Sequence, residues 1–244
     1  MVCERHLEPS EDHLCADCMH DLPHTYYWLL RKNPMADRLN ELIQKRLEEQ
    51  FDGAESQQEK ALKERYVYAA ALFFYRAESN YRHITRKIKY NGNIKAGLFF
   101  GRLLGERLVS GSLFQDVDLI IPVPLHWRRH WKRGYNQAQV IAEGIAARLG
   151  APVRSDILIR PRSTRSQTRL SIEEKSLNVK NAFRLHKRCR TSIPPELTGI
   201  RHILLVDDVF TTGSTALACF TALRTVFPPS VRISVATLGF VGGG

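Results

Sequence analysis

The segment that most constrains the fold is residues 203–215, which read I-L-L-V-D-D-V-F-T-T-G-S-T. Four consecutive apolar residues predict a buried parallel strand over Ile203–Val206, and a helix is predicted over Ser214–Val226. Two acids and a short loop of Thr, Gly and Ser lie between them. Ligands of open α/β sheets bind at the carboxyl ends of the strands. The segment therefore predicts a parallel α/β sheet with a ligand site at this strand end.

The rest of the chain alternates between strand-like and helix-like segments. Further strands are predicted over Tyr66–Tyr75, Asp118–Val123 and Val231–Thr237. Helices are predicted over Asn33–Lys63, Tyr81–Tyr90, Ala96–Val109 and Gln137–Leu149, and residues 160–169 are predicted to form an exposed, mobile loop. This alternation indicates an α/β fold with a doubly wound, mostly parallel sheet.

Length and hydropathy restrict the class of protein. A chain of 244 residues can hold one α/β domain of about 170–200 residues and a small appendage. No apolar run reaches the roughly 18–20 residues of a membrane span, and residues 3–24 are too polar for a signal peptide. We expect a cytoplasmic protein without membrane insertion. Its expected parts are an N-terminal zinc-knuckle-like segment (1–24), a helical linker (25–65) and an α/β domain (66–244).

The positive charge is concentrated in one part of the chain. Residues 126–190 contain sixteen Lys or Arg and four Asp or Glu, a net charge of +12, whereas the whole chain has a net charge of +11. A basic stretch of this kind suits a polyanion, which is either a nucleic acid or a small molecule with several phosphates. The alternative is a solvated basic surface, which is the better explanation for single residues in the stretch.

Three of the five cysteines lie close together near the N-terminus. The sequence C-E-R-H contains Cys3 and His6, and C-A-D-C contains Cys15 and Cys18. Two such pairs in a chain without an export signal are typical of a structural, tetrahedral Zn²⁺ site with four protein ligands. The alternative is an accidental grouping of cysteines. Cys189 and Cys219 stand alone, and we expect them to be buried thiols without a functional role.

The acids and the loop after the Ile203–Val206 strand suit a sugar phosphate. Adjacent carboxylates accept hydrogen bonds from the cis hydroxyls of a ribose and favour a bound Mg²⁺. A loop of small hydroxyl residues at a helix N-terminus presents N–H and O–H donors to a phosphate. The candidate ligand-binding residues are Asp207, Asp208, Thr211, Thr212, Gly213, Ser214 and Thr215.

Residues 203–215 resemble the signature of type I phosphoribosyltransferases, which bind phosphoribosyl pyrophosphate (PRPP). Other segments resemble the ComF family, which comprises competence protein F and amidophosphoribosyltransferase-like proteins. These segments are I-K-Y-N-G at 88–92, I-P-V-P-L-H at 121–126, R-G-Y-N-Q-A at 133–138 and R-S-T-R-S-Q-T-R-L-S at 162–171. The resemblance extends from about residue 3 to residue 240. Members of the family usually have two C-x2-C pairs at the N-terminus, and this chain has one, so either His6 is the fourth ligand or a cysteine is missing upstream.

The resemblance implies a type I phosphoribosyltransferase fold and a role for each part of the site. Asp207 and Asp208 would be the catalytic acids that bind the ribose hydroxyls, Mg²⁺ would accompany PRPP, and the loop Thr211–Thr215 would bind the 5′-phosphate. The candidates for the pyrophosphate and for the flexible loop that closes over it are Arg128, Arg129, Arg133, Arg165 and Gln167. Arg165 and Arg169 are equally well explained as solvated loop charges. Lys89 is a further candidate phosphate contact.

Two functions remain open at this level. The first is a phosphoribosyltransferase, a glycosyltransferase of the pentosyl class, whose acceptor the sequence does not identify. The second is an accessory protein that binds single-stranded DNA without turnover and works with the DNA-uptake machinery of competence. The complete acid pair and loop favour an intact PRPP site, and the basic stretch suits either ligand.

Overall fold

The computed structural model describes residues 2–9, 11–50, 64–90, 93–161, 182–190 and 194–242. Its centre is a four-stranded parallel sheet in the order β1-β6-β5-β2. The strands are β1 (Ala69–Phe74), β2 (Leu119–Pro122), β5 (His202–Phe210) and β6 (Arg232–Phe240). A separate antiparallel pair joins β3 (Leu158–Ile159) to β4 (Arg184–Leu185). The mixed α/β architecture and the parallel sheet confirm the expected class, while the type I phosphoribosyltransferase fold stays a prediction.

Seven α-helices are present among the described residues. They are α1 (Ala16–His20), α2 (Pro34–Gln50), α3 (Arg82–Tyr90), α4 (Ile94–Ser110), α5 (Trp127–Arg133), α6 (Gln137–Leu149) and α7 (Ser214–Arg224). Short 3-10 turns span Tyr27–Leu29, Lys187–Cys189 and Pro195–Leu197. No helix in these described ranges is long and apolar enough to cross a membrane.

The predicted elements agree with the structure in type and differ at their ends. Helix α6 has the predicted bounds because Asn136 caps its start and Gly150, with a φ of 72°, ends it. The predicted helix Asn33–Lys63 is confirmed as far as Gln50, and its remainder lies outside the described residues. Helix α5 was not predicted. Its signals are His126, whose ring accepts a hydrogen bond from the Arg128 N–H, and Gly134, whose φ is 78°.

Helices α4 and α6 pack with their backbones in direct contact. A side chain at Gly144 would place its Cβ 2.6 Å from the Leu98 carbonyl oxygen, and one at Gly101 would meet the Ile141 carbonyl oxygen. Only glycine allows this approach. The close packing sets α6 against β2 and β5, and so fixes the helix that follows Asn136 beside the carboxyl end of the sheet.

The N-terminal segment packs against the α/β core. Leu14, Cys15, Cys18 and Leu22 are buried in the same hydrophobic cluster as the sheet. His24 forms an antiparallel bridge with Phe73 of β1. Burial of apolar surface stabilises a fold by roughly 25 cal/mol per Å². This packing therefore attaches the segment to the edge strand.

Candidate functional site

Strand β5 extends further than its apolar run predicts, and this extension creates the candidate site. Its neighbour β2 ends with Pro122 opposite Val206, whereas β6 continues to pair with β5 as far as Phe210. Residues 207–210 therefore have a strand partner on one side only. Asp207 and Asp208 lie in this stretch, beside the open space beyond the end of β2, as expected for ligand residues at the carboxyl edge of a parallel sheet.

The two acids, which we call the acid pair, face different neighbours. Side chains alternate along a strand, so Asp207 and Asp208 lie on opposite faces of β5. Asp207 lines a small cavity of about 20 Å³ together with Thr211, Gly213 and Thr215. A cavity of this size has room for one water molecule and is too small for a sugar phosphate. The Asp207 Oδ1 accepts a hydrogen bond of 2.8 Å from the Asp208 N–H.

Asp208 is paired with a lysine from a distant part of the sequence. The Lys89 Nζ lies 2.6 Å from the Asp208 Oδ2, and the Asp208 side chain is 8% exposed. Burial lowers and the Asp208 carboxylate raises the pKa of Lys89, with a net rise. Burial and the neighbouring charge of Asp208 raise the pKa of Asp207 to about 7. The two carboxylates of the acid pair thus lie near a single cation, Lys89, which neutralises only part of their combined negative charge.

The Thr-Gly-Ser loop, Thr211–Thr215, is held in a fixed shape. Gly213 has a φ of 84°, and a Cβ there would lie 2.9 Å from both Leu42 and Phe210. It is the N-cap of α7 and offers no side chain to the free N–H groups of the first turn. The Arg38 guanidinium of α2 donates a hydrogen bond of 2.9 Å to the Thr211 carbonyl oxygen. Glycine, the helix N-terminus and hydroxyl groups together form a surface suited to an anion.

The predicted pyrophosphate residues lie on and around α5. Arg133, the last residue of α5, donates to the Gln137 side chain at 2.9 Å, which ties the end of α5 to the start of α6. The guanidinium of Arg128 lies 5.2 Å from the centre of the Trp127 ring. Arg129 belongs to the same helix. Arg165, Arg169 and Gln167 lie outside the described residues.

Two tryptophans on α5 are exposed, and they are not among the site residues that the sequence predicts. Trp127 is 59% and Trp131 is 87% exposed, and their spacing of four residues places them on the same side of the helix. They line an open groove of about 820 Å³ with Pro124, Leu125 and Arg160. The W-x3-W spacing within a basic segment was the available signal. Large exposed aromatic groups of this kind mark interaction surfaces.

The three N-terminal cysteines meet, while His6 does not join them. The sulfur atoms of Cys3, Cys15 and Cys18 all lie within 4.8 Å of one another, and the Cys3 and Cys15 sulfurs are 3.5 Å apart. Hydrogen bonding, first from the Arg5 backbone and then from Cys18 and Cys15, lowers the pKa of Cys3 to about 7, whereas burial raises the pKa of Cys18 to about 12. Zn–S bonds of about 2.3 Å place tetrahedral sulfurs a little under 4 Å apart, so the group fits three of the four positions around Zn²⁺.

Comparison with known proteins gives relatives named for DNA utilization and for competence. No family model matches the chain. The DNA utilization protein YhgH of Salmonella typhimurium is 43% identical over 135 residues, which cover 54% of the chain and 56% of that protein. YhgH of Escherichia coli K12 is 41% identical over 113 residues, 46% of the chain and 45% of the relative. Competence protein F of Haemophilus influenzae is 40% identical over 98 residues, 40% of each chain. The chain spans about half the length of the curated relatives it matches.

Proposed function

We propose that this chain, whose DNA utilization and competence relatives support its assignment to the ComF family, binds PRPP with Mg²⁺ at the acid pair and the Thr-Gly-Ser loop. In this proposal the bound ligand serves a function in DNA uptake. The observation that carries the proposal is the position of Asp207 and Asp208. They lie where β5 extends past β2, next to a rigid loop at the N-terminus of α7. The enzymatic form of the proposal is transfer of the phosphoribosyl group to an acceptor.

Each part of the site has a chemical task in this proposal. The two carboxylates accept hydrogen bonds from the ribose hydroxyls, and the loop donates to the 5′-phosphate. The Oδ2 of Asp208 is buried and already faces the Lys89 ammonium at 2.6 Å, so its position suits a cation. Mg²⁺, when bound, neutralises part of the charge on the departing pyrophosphate. Arg133 lies near enough to Lys89 to lower its pKa, and in this proposal both cations would face the pyrophosphate.

Calorimetric titration with PRPP and Mg²⁺ tests the proposal. We expect the double variant Asp207→Asn/Asp208→Asn to lose at least about 100-fold in affinity, because two charge-assisted hydrogen-bonding groups at about 1.5–3 kcal/mol each are removed. The matched control is Asp12→Asn/Asp21→Asn, which removes the same charge at two exposed positions. Equal PRPP affinity in both double variants, or none in the folded wild type, contradicts the proposal.

A second candidate function, binding of single-stranded DNA without turnover, is favoured by α5. Exposed Trp127 and Trp131 offer faces on which unpaired bases can stack, and Arg128 supplies positive charge beside them. Binding that depends on phosphate contacts weakens with salt in proportion to the number of contacts. Charge reversal at Arg128, Arg129 and Lys132 should weaken oligonucleotide binding and flatten its salt dependence. An unchanged salt slope removes α5 from consideration as a DNA-binding surface.

We also propose that Zn²⁺ is bound at Cys3, Cys15 and Cys18 in a structural role. The site is distant in sequence from the acid pair, and its sulfurs join the N-terminal segment to α1. Metal analysis of freshly purified protein should find about one zinc per chain, and Cys15→Ser should reduce this and lower the thermal stability. His6→Ala should leave the zinc content near that of the wild type, because His6 lies outside the sulfur group. Protein purified without zinc contradicts the proposal.

A further inference from the structure

The ion pair between Lys89 and Asp208 joins two parts of the chain that the sequence does not bring together. Lys89 lies in the last turn of α3, and Asp208 lies near the end of β5. Their charged atoms are 2.6 Å apart. Among the described residues, neither Asp207 nor Asp208 forms another ion pair. In the ligand-free protein, Lys89 therefore compensates the charge of Asp208, as a bound metal ion would do.

The backbone beneath Lys89 is held firmly, although its side chain is not. Ile88 is fully buried, and its carbonyl oxygen accepts a hydrogen bond from the Tyr135 hydroxyl. Tyr135 lies two residues after the end of α5, so the end of α3 is tied to the segment that contains Arg133. The Lys89 side chain is 27% exposed. A lysine stem has four rotatable bonds, so the ammonium group can leave Asp208 without any change in the packed core.

The partner carboxylate is poorly compensated without this lysine. The Asp208 side chain is 8% exposed, and the Lys89 ammonium is the cation paired with its Oδ2 among the described residues. A buried carboxylate without a partner is costly, so it will take a cation in one form or another. A bare divalent cation must displace the ammonium from Asp208 to bind. A cation that arrives with a phosphorylated sugar brings anionic groups to which the displaced ammonium can turn.

We propose that Lys89 is a resident counter-ion of the acid pair: it excludes free divalent cations from Asp208 in the ligand-free protein and moves to the phosphates when a metal-loaded phosphoribosyl ligand binds. This inference rests on one part of the proposed function, namely that the ligand binds at the acid pair. Lys89 is a positioning residue for Asp208 before binding and a ligand contact afterwards. Its two roles predict opposite changes in two affinities when it is replaced.

The experiment measures the binding of Mn²⁺ alone, by electron paramagnetic resonance of the free ion, and of PRPP with Mg²⁺, by calorimetry, in the full chain. In Lys89→Gln, we expect the affinity for Mn²⁺ to rise at least about tenfold, because a competing charge is removed. The affinity for PRPP with Mg²⁺ should fall at least about tenfold, because a phosphate contact is lost. A merely structural lysine would lower both affinities together, and that result overturns the inference.

Matched variants separate the local effect from the loss of one positive charge. Arg86 is exposed on the same helix, so Arg86→Gln should change either affinity by less than about twofold. Lys89→Arg keeps a cation opposite Asp208 and should keep Mn²⁺ binding weak. In an Asp208→Asn background, Lys89→Gln should no longer alter Mn²⁺ binding, because a coupling between two residues disappears when one is removed. A full Mn²⁺ effect in that background overturns the inference.

The inference and the proposed function fail in different ways. If the wild type does not bind PRPP but Lys89→Gln strengthens Mn²⁺ binding, the proposed function is wrong and the resident counter-ion stands. If the wild type binds PRPP and Lys89→Gln leaves Mn²⁺ binding unchanged, the proposed function stands and the resident counter-ion is wrong.

Discussion

The acid pair and helix α5 lie beside the same edge of the sheet but are built in different ways. Asp207 and Asp208 belong to a nine-residue strand, and their loop is locked by Gly213 and by α2. Helix α5 has seven residues and is defined by a cap at each end, with two tryptophans in solvent. The first region is pre-organised around a few enclosed charges, which suits one small ligand of defined shape. The second is an open aromatic and basic surface, which suits a long, flexible polyanion.

Among the further variants that separate the two regions, removal of both tryptophans is expected to have the largest effect. In Trp127→Ala/Trp131→Ala, the affinity for a short oligo(dT) should fall roughly 30-fold or more, since a stacked base contributes about 1–3 kcal/mol. The salt slope should stay the same because no phosphate contact is removed. Fluorescence anisotropy over a range of salt concentrations measures both quantities. PRPP binding should not change, and a parallel loss of PRPP affinity would mean that the two regions form one site.

A substitution at Gly213 is expected to weaken PRPP binding and to leave oligonucleotide binding unchanged. In Gly213→Ala, the φ of 84° is strained for alanine and the added Cβ lies 2.9 Å from the tips of the Leu42 and Phe210 side chains. The loop or these side chains must shift, and PRPP affinity should fall about tenfold. Oligonucleotide binding should stay at the wild-type level. Gly150→Ala is the control, since Gly150 also has a positive φ but a Cβ there meets nothing within 4 Å. Calorimetry that shows equal PRPP affinity in both variants would mean that the loop does not bind the ligand.

Replacement of the arginine that stacks on Trp127 is expected to have a smaller effect. Arg128→Gln should weaken oligo(dT) binding severalfold and reduce the salt slope by about one unit, as expected for one lost phosphate contact. Salt-dependent anisotropy measures the slope. The control is Arg201→Gln, which removes the same charge from an exposed side chain just before β5. A slope that falls equally in the control would assign the effect to net charge rather than to α5.

The smallest expected effect is a pH dependence of stability that arises from Asp207. Its pKa is raised to about 7 in the folded protein, so the folded state binds this proton more tightly than the unfolded chain does. The stabilisation is complete below the ordinary Asp range and is lost as the pH rises through about 7. In metal-free buffer, we compare the melting temperatures of the wild type and Asp207→Asn. The wild-type value minus the variant value should rise by a few degrees as the pH falls from about 8 to about 5.

The same comparison for Asp156→Asn should be flat in this window. The Arg154 guanidinium lowers the pKa of Asp156, so its protonation begins only at a lower pH. A flat difference for Asp207→Asn as well would show that Asp207 is ionised throughout and that the acid pair is better compensated than its surroundings indicate.

Local patterns were sufficient to predict the elements of the sheet. The apolar run of residues 203–206, the helix that Asn136 and Gly150 delimit, and the acids beside a Thr-Gly-Ser loop are all encoded within short segments. Secondary structure of this kind depends on hydrophobic period, caps and backbone freedom, which are properties of neighbouring residues. For the same reason the grouping of Cys3, Cys15 and Cys18 followed from their spacing.

Contacts between distant segments were decided only by the tertiary structure. Strand β5 continues to Phe210 because β6 pairs with it there, and the apolar run gives no sign of this. Lys89 meets Asp208 across more than a hundred residues, and Leu42 packs over Gly213 from α2. The exposure of Trp127 and Trp131 depends on where α5 lies relative to the sheet. The sequence by itself determined which groups are available for chemistry, and the fold decided which of them meet, because burial and ion pairing depend on distances in space that chain separation does not specify.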